Sequence, residues 1–307
     1  MQDKITQLLA EIQAGSYKAL ARGITMVEND LEGYSTLLSQ LKNTDAAKVV
    51  GITGPPGAGK STLVNALLHH WIKADKRIAV IAVDPSSPFN YGALLGDRIR
   101  MADFYNHNNV YIRSLATRGA LGGLHAKIIE ITDVVKHAPF DYILVETVGV
   151  GQSEVEIAGL ADCTVVALVP EAGDEVQTLK AGIMEIANLF VVNKADRDNA
   201  DTLYRTLRIL AHERSMGDDE TPVIKTIATT QDGLAELAAA IETYLTTHNT
   251  IPEKKLQLLT ERCWQIIQHR QMRGFNKAKL LLQLQEAVQS PMFNLYSFTD
   301  SFVENNS

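Results

Sequence analysis

The stretch that decides the fold of this chain is Val49-Val50-Gly51-Ile52-Thr53-Gly54-Pro55-Pro56-Gly57-Ala58-Gly59-Lys60-Ser61. An apolar, β-branched run is followed at 54–61 by the full pattern G-x-x-x-x-G-K-[ST], and a helical segment, 62–71, comes next. Glycines at these positions let backbone N–H groups turn towards phosphate oxygens, and the N-terminus of the following helix adds a favourable dipole. The stretch therefore predicts a phosphate-binding loop (P-loop) between a strand and a helix.

Each part of this loop has an expected role in binding a nucleoside triphosphate. Lys60 is expected to reach the β- and γ-phosphates, and Ser61 is expected to offer its hydroxyl to Mg²⁺. The alternative is a turn without function, but a strand before the loop and a helix after it both argue for the functional interpretation. The expected nucleotide-binding residues of this region are Gly54, Pro55, Pro56, Gly57, Ala58, Gly59, Lys60, Ser61 and Thr62.

Seven short apolar runs alternate with amphipathic segments along the middle of the chain. This alternation predicts an α/β fold, a P-loop NTPase with a mostly parallel central sheet flanked by helices. The predicted strands are 49–53, 77–83, 110–113, 141–146, 163–169, 189–193 and 223–227.

Helical extensions flank this domain on both sides. Ile5, Leu8, Leu9 and Ile12 follow helical spacing, and a second helical stretch follows Gly15. That second stretch carries Leu31, Leu37, Leu38 and Leu41. We therefore expect a helical arm at 1–44, a nucleotide domain at 45–248 and a helical extension at 249–307.

The extension after residue 250 has two open interpretations. Its apolar side chains either cover the domain's own core or form a dimer surface, and the sequence favours neither. The side chains concerned are Leu256, Leu259, Cys263, Ile266, Ile267, residues 280–284, Phe293, Leu295, Tyr296, Phe298 and Phe302.

Composition excludes several classes of protein. The chain has 307 residues, 46% of them hydrophobic and 21% charged, with a net charge of −7, which argues against general binding to nucleic acid or membranes. Cys163 and Cys263 form no close pair, so a disulfide scaffold or zinc site is not expected. No signal peptide or membrane-spanning run is present, and we expect a cytoplasmic protein.

Asn193-Lys194-Ala195-Asp196 indicates which base is bound, because it follows an apolar strand at the sheet edge where such folds bind ligands. The Asp196 carboxylate can accept hydrogen bonds from guanine N1–H and the 2-amino group, and adenine offers no such donor pair. Asn193 is expected to fix the loop, and the stem of Lys194 to lie along the base. Ala228, after the last strand, is a weaker candidate that offers a backbone N–H.

Three carboxylates at predicted strand ends or in the following loops are candidate metal ligands beside Ser61. They are Asp84, Asp97 and Glu146, and the alternative for each is a solvated loop residue. Glu146 stands where related folds commonly carry aspartate.

Lys60, Asp84, Glu146 and Gly149 are the candidate catalytic residues, with the Gly149 backbone N–H placed to contact the γ-phosphate. Val150, the next residue, cannot orient an attacking water, whereas Gln152 could do so after a rearrangement. We therefore expect slow intrinsic hydrolysis that a partner accelerates.

Several further segments resemble one family, the MeaB/ArgK GTPases, which serve as chaperones of adenosylcobalamin-dependent acyl-CoA mutases and have SIMIBI-type P-loop folds. The segments are Val83-Asp84-Pro85-Ser86-Ser87-Pro88, Gly96-Asp97-Arg98-Ile99-Arg100-Met101, Ala116-Thr117-Arg118-Gly119-Ala120-Leu121-Gly122-Gly123, Val145-Glu146-Thr147-Val148-Gly149-Val150-Gly151-Gln152-Ser153-Glu154 and Gly173-Asp174-Glu175-Val176-Gln177. The resemblance is close over 45–245 and looser in the flanking helices.

The resemblance implies a function that the residues alone do not. It implies GTP and Mg²⁺ as cofactors, a homodimer formed through C-terminal helices, and gating of cofactor loading on a methylmalonyl-CoA mutase type of enzyme. It also implies switch segments at 84–100, 146–154 and 172–180, with Gln152, Gln177 and Lys180 as switch residues. Glu171 departs from the family, which often has a small residue there.

Two other functions remain open at this point. One is a nickel-delivery GTPase, although only His69 and His70 are adjacent among eight histidines. The other is an ATPase or kinase of a transport system, which nucleotide selectivity would distinguish.

Overall fold

The computed structural model describes residues 2–42, 44, 46–84, 101–117, 124–148, 155–171, 183–214 and 220–248 in the first part of the chain. In the last part it describes 256, 260, 263–264, 266–268, 271, 275–290 and 292–305. The chain divides into two compact units, Met1–Asn249 and Thr250–Ser307. Across the described residues, no helix has both the length and the apolar character needed to cross a membrane.

A seven-stranded sheet forms the centre of the first unit. Its strands are β1 (Lys48–Thr53), β2 (Ile78–Asp84), β3 (Val110–Ala116), β4 (Tyr142–Glu146), β5 (Cys163–Leu168), β6 (Leu189–Asn193) and β7 (Val223–Thr226). The order is β3-β2-β4-β1-β5-β6-β7, and every neighbouring pair is parallel. The predicted parallel α/β sheet is confirmed, and its parallel strands bring their carboxyl ends to one edge.

Helices of the first unit cover both faces of the sheet. Their bounds are α1 (Gln2–Gln13), α2 (Tyr17–Glu28), α3 (Tyr34–Gln40), α4 (Lys60–Lys73), α5 (Ile128–Val135), α6 (Val155–Leu160), α7 (Ile183–Ile186), α8 (Ala200–Arg214) and α9 (Leu234–Thr247), with a 3₁₀ turn at Ala102–Phe104. In the second unit, α10 spans Lys277–Ala287 and α11 spans Leu295–Glu304. Side chains of α1, α2, α3, α5, α6 and α8 share one core, and those of α4 and α9 share the other. Because the strands are apolar on both faces, each face of the sheet is covered by helices.

The N-terminal helices belong to the first of these cores. Leu20 and Ile24 of α2 are fully buried in the same cluster as Val134 of α5. Polar contacts add to this packing, because an Arg113 guanidinium nitrogen on β3 lies 2.6 Å from a carboxylate oxygen of Glu28 on α2. The arm is therefore packed onto the sheet rather than separate from it.

The second predicted helical stretch is broken in the structure. The chain leaves α2 through Asp30, with a φ of 51°, and enters α3 after Gly33, with a φ of 91°. Both values are left-handed, a conformation that a right-handed helix cannot contain. Leu31 lies in this break and is exposed, so it is not in the helical stretch in which the sequence placed it.

The second unit contains α10 and α11, each begun by an asparagine cap. The Asn276 side chain accepts hydrogen bonds from the Ala278 and Lys279 amides, and Asn294 does the same for α11. Phe302 is buried, with its ring centroid 6.1 Å from that of Phe275. Several large apolar side chains of this unit are exposed: Leu256, Trp264, Ile267, Leu281, Leu282, Val288, Met292, Leu295, Tyr296 and Val303.

Candidate functional site

The phosphate-binding loop lies between β1 and α4, as its sequence predicts. Two of its glycines have positions that no side chain could share. Gly54 has a φ of 141°, and a Cβ there would lie 2.0 Å from the Ala167 carbonyl oxygen on β5. At Gly59, with a φ of 82°, a Cβ would lie 2.4 Å from the Asn193 side-chain nitrogen. The loop is therefore packed tightly against the ends of β5 and β6.

Lys60 begins α4 and is buried. Its ammonium group donates hydrogen bonds to the Gly54 carbonyl at 2.8 Å and the Pro55 carbonyl at 3.1 Å. The positive charge is thus held against the loop's own backbone. An incoming phosphate would meet a cation already in place beside the loop, in addition to the helix N-terminus.

Ser61, near the start of α4, contacts Glu146 at the end of β4. The Ser61 hydroxyl donates to a Glu146 carboxylate oxygen at 2.6 Å, and both side chains are buried. The contact follows from the sheet, because Ile52 near the end of β1 is paired with Glu146 at the end of β4. The neighbouring hydroxyls of Thr53 and Thr147 are 2.9 Å apart and also buried. This cluster therefore supplies several hard oxygen atoms close to the phosphate loop.

Asp84 is the third described oxygen ligand candidate at this edge. It is the last residue of β2, it is buried, and β2 lies next to β4 with Ala82 paired with Glu146. Asp84 and Glu146 therefore stand at the carboxyl ends of neighbouring strands. Buried carboxylates are rare without a partner of opposite charge or a metal, so neither residue fits the alternative of a solvated loop residue.

Asn193 connects the base-binding motif to the phosphate loop. Its side-chain NH₂ donates to the Ala58 carbonyl at 2.8 Å. Its side-chain oxygen accepts from the Thr226 hydroxyl at 3.2 Å and the Ala228 amide at 3.3 Å. Asn193 is itself buried, so one amide group holds β6, β7 and the P-loop together.

Ala228, the weaker base-binding candidate, is one of the residues that Asn193 contacts. Its backbone N–H, which the sequence offers to a base, donates to the Asn193 side chain in this structure. Recognition of a base by Ala228 stays a prediction, and the contact made here holds Asn193 in place.

Asp196 lies at an open cleft of about 440 Å³. The cleft follows the turn that begins at Lys194, which has a φ of 56°. Asp196 is exposed, so the burial on which guanine selectivity depends would have to come from the bound base itself. The lining residues are Pro170, Glu171, Asp196, Arg197, Asp198 and Asn199.

One feature of this cleft was not predicted. The Arg197 guanidinium donates a hydrogen bond to the Glu171 carboxylate, and this hydrogen bond lowers the pKa of Glu171. The sequence singled out Glu171 as unusual but did not connect it with Arg197. No spacing rule joins two charged residues in separate loops, so the pairing had no signal in the sequence.

Five predicted site residues lie outside the described part of the chain, as do 85–100, 149–154 and 172–180 of the predicted switch segments. They are the metal candidate Asp97, the catalytic candidate Gly149, and the switch residues Gln152, Gln177 and Lys180. Among the residues that the structure does describe, no group of three or more His, Cys, Asp or Glu side chains is placed to hold a metal ion.

Comparison with known families and proteins gives an independent result. The sequence model of the methylmalonyl-CoA mutase-associated GTPase MeaB matches residues 20–279. A protein of Pyrococcus abyssi whose name describes it as a candidate GTPase is 44% identical over 271 residues, covering 86% of this chain and 84% of that protein. The GTPase ArgK of Escherichia coli is 38% identical over 200 residues, covering 64% of this chain and 60% of that protein.

One solved structure has a similar fold along nearly the whole chain. The crystal structure of a LAO/AO transport system kinase superposes with a TM-score of 0.70, over 99% of this chain and 98% of that chain. The identity is 24%, so this likeness shows the P-loop NTPase fold and no more.

Proposed function

The chain belongs to the MeaB family of methylmalonyl-CoA mutase-associated GTPases, and from this premise we propose that it is a GTP-driven chaperone of an adenosylcobalamin-dependent acyl-CoA mutase. In this role it would gate cofactor loading and protect the mutase from inactivated cofactor. The observation that carries the proposal is the family match across residues 20–279, which spans the P-loop and the base-binding motif together. The mouse methylmalonic aciduria type A homolog, 45% identical over 149 residues (48% of this chain and 36% of that protein), adds support.

Guanine nucleotide is the cofactor that the family implies, and the geometry supports a definite binding mode. Phosphates would bind at the P-loop, where the Lys60 ammonium and the start of α4 supply positive charge. The base would occupy the cleft beside Asp196, whose carboxylate would pair with two guanine donors. Asn193, between the two sites, would keep their separation constant.

Mg²⁺ is a further part of the proposal, and the residues present fit it. The Ser61 hydroxyl and the Glu146 and Asp84 carboxylates are hard oxygen donors, the type that Mg²⁺ prefers. We propose that Ser61 and these two carboxylates hold the ion directly or through water. When bound, Mg²⁺ supplies positive charge that offsets the charge of the β- and γ-phosphates.

The proposed hydrolysis is slow until the client protein binds. Val150 follows Gly149 and cannot orient a water molecule, so a partner would have to order the residues that do. Slow intrinsic hydrolysis is compatible with a chaperone, because GTP would then be hydrolysed only after the correct client protein has bound.

The test uses the full chain and an adenosylcobalamin-dependent methylmalonyl-CoA mutase from the same host. Complex formation is measured by analytical ultracentrifugation with GDP and with a non-hydrolysable GTP analogue, and single-turnover GTP hydrolysis is measured with and without mutase. We expect the mutase to bind about fivefold or more tightly with one nucleotide than with the other, which is the lower end of typical allosteric coupling. We also expect the mutase to accelerate hydrolysis.

Two variants make the result specific. Lys60→Ala should abolish the nucleotide dependence, whereas Glu220→Gln, at an exposed position outside the site, should behave as the wild type. Failure to bind the mutase under any nucleotide would overturn the chaperone proposal and leave the GTPase assignment standing. Rapid hydrolysis that the mutase does not change would overturn the proposal of a waiting switch.

A further inference from the structure

An ion pair joins the two walls of the cleft beside Asp196. One wall follows β5 and contains Pro170 and Glu171, and the other follows β6 and contains Asp196 and Arg197. The Arg197 guanidinium donates to the Glu171 carboxylate across the cleft. Both side chains are half-exposed, so the pair lies at the open side of the cleft rather than in the core.

The wall that carries Arg197 is held by its own backbone. The Arg197 amide donates to the Lys194 carbonyl at 3.0 Å, and the Ala195 amide donates to the Thr226 carbonyl at 3.1 Å. The first bond closes the turn, and the second fastens it to the end of β7. On the other wall, Pro170 has a φ fixed by its own ring and directly precedes Glu171. The Glu171–Arg197 contact therefore connects the residues that follow β5 with a turn fastened to β7, and its formation sets the distance between the two walls.

We propose that the Glu171–Arg197 ion pair is a tie across the base cleft that slows the release of guanine nucleotide. This inference rests on the proposed binding of the guanine base beside Asp196, and it adds two positioning residues to that site. A base that leaves the cleft would pass between the two walls. The ion pair would therefore have to break or move before the nucleotide is released. Glu171 supplies a carboxylate to one wall, and a small residue at this position could not form the tie.

The tie should make the rate of nucleotide release depend on salt concentration. Exposed ion pairs are weak, and they are screened further as ionic strength rises, because the Debye length falls from about 8 Å at 0.15 M salt to about 3 Å at 1 M. Loss of the tie should therefore accelerate release by only about 1.5- to 5-fold at low salt. High salt should accelerate release from the wild type and reduce its difference from the variants.

The experiment measures release of a fluorescent N-methylanthraniloyl-GDP from the full chain by stopped flow. The variants are Glu171→Arg, Arg197→Glu and the charge-swapped double variant. We expect faster release from each single variant and a return towards the wild-type rate in the double variant. Glu220→Gln is the matched control, since it removes an exposed Arg208–Glu220 pair that lies outside the cleft lining.

The variant Asp196→Ala tests whether the base binds in this cleft, independently of the Glu171–Arg197 ion pair. If Asp196→Ala leaves the affinity for GDP unchanged, the base does not bind in this cleft, and both the proposed site and the tie are wrong. If Asp196→Ala weakens GDP binding but the single charge variants release GDP at the wild-type rate, only the tie is wrong. Single-variant effects that simply add in the double variant would also overturn the tie, since no pairing would then exist.

Discussion

The Asn193 side chain connects three parts of the candidate nucleotide site through hydrogen bonds. One of its amide atoms contacts the P-loop at Ala58, and the other contacts Thr226 and Ala228. Because all three contacts are buried, their loss leaves polar groups without water to replace the missing partner. Asn193 therefore couples stability to the geometry of nucleotide binding.

We predict that Asn193→Ala lowers the free energy of unfolding by about 3 kcal/mol or more, because it removes the partner of three buried groups and each such group costs about 1–3 kcal/mol. It should also weaken GDP binding, because the P-loop loses its contact with β6. Chemical denaturation without nucleotide and calorimetric titration with GDP measure the two effects.

Thr226→Val is the matched variant for this prediction. It removes one donor to the Asn193 oxygen and leaves the contact with Ala58 intact. We expect a smaller loss of stability, of about 1 kcal/mol, with GDP affinity close to that of the wild type. Equal GDP affinity for Asn193→Ala and the wild type would show that this contact does not shape the phosphate site.

Contacts between residues far apart in the chain are the part of the candidate site that the sequence did not predict. The motif at 193–196 predicts a fixed loop, but the contact between Asn193 and Ala58 spans 135 positions and depends on the order of strands in the sheet. The Glu171–Arg197 pair has the same origin. Motifs specify local chemistry, whereas these contacts arise only when separate loops meet at one sheet edge.

At the scale of elements, the sheet was the most predictable part of the chain. Each strand is an apolar, β-branched run between polar turns, so its evidence is local. The sequence predicted β3 over 110–113, an apolar run that ends at Arg113. In the structure β3 continues to Ala116, since Glu28 compensates the guanidinium and residues 114–116 pair with β2.

The N-terminal helices α1–α3 give a prediction at this scale. Leu20 is fully buried between α2 and the sheet domain, whereas Leu31, in the break after α2, is 48% exposed. We expect Leu20→Ala to lower the free energy of unfolding by about 2–5 kcal/mol, as for other buried leucines. Leu31→Ala should change it by only about 0.5 kcal/mol or less.

Thermal and chemical unfolding of the two variants measure this difference. If the arm shares the core of the sheet, Leu20→Ala should move a single cooperative transition rather than create an early one. A separate low-temperature transition, or a cost below about 1 kcal/mol, would mean that the arm is a weakly attached appendage.

At the scale of the whole molecule, the apolar surface of the second unit needs an explanation. Leu282 on α10 is 64% exposed and Tyr296 on α11 is 79% exposed, together with several other large apolar side chains. Ten exposed large apolar side chains fall within residues 256–303, and such a concentration of exposed apolar surface favours an association surface.

We therefore propose a homodimer formed through α10 and α11, and we predict that it depends on these side chains. The double variant Leu282→Glu/Tyr296→Glu should shift the full chain from dimer to monomer in sedimentation equilibrium, because each glutamate would place an unpaired charge in an apolar interface. Ile209→Glu is the matched control, since Ile209 on α8 is 60% exposed but belongs to the first unit. A dimer that survives the double variant, or one that Ile209→Glu dissociates, would place the interface elsewhere.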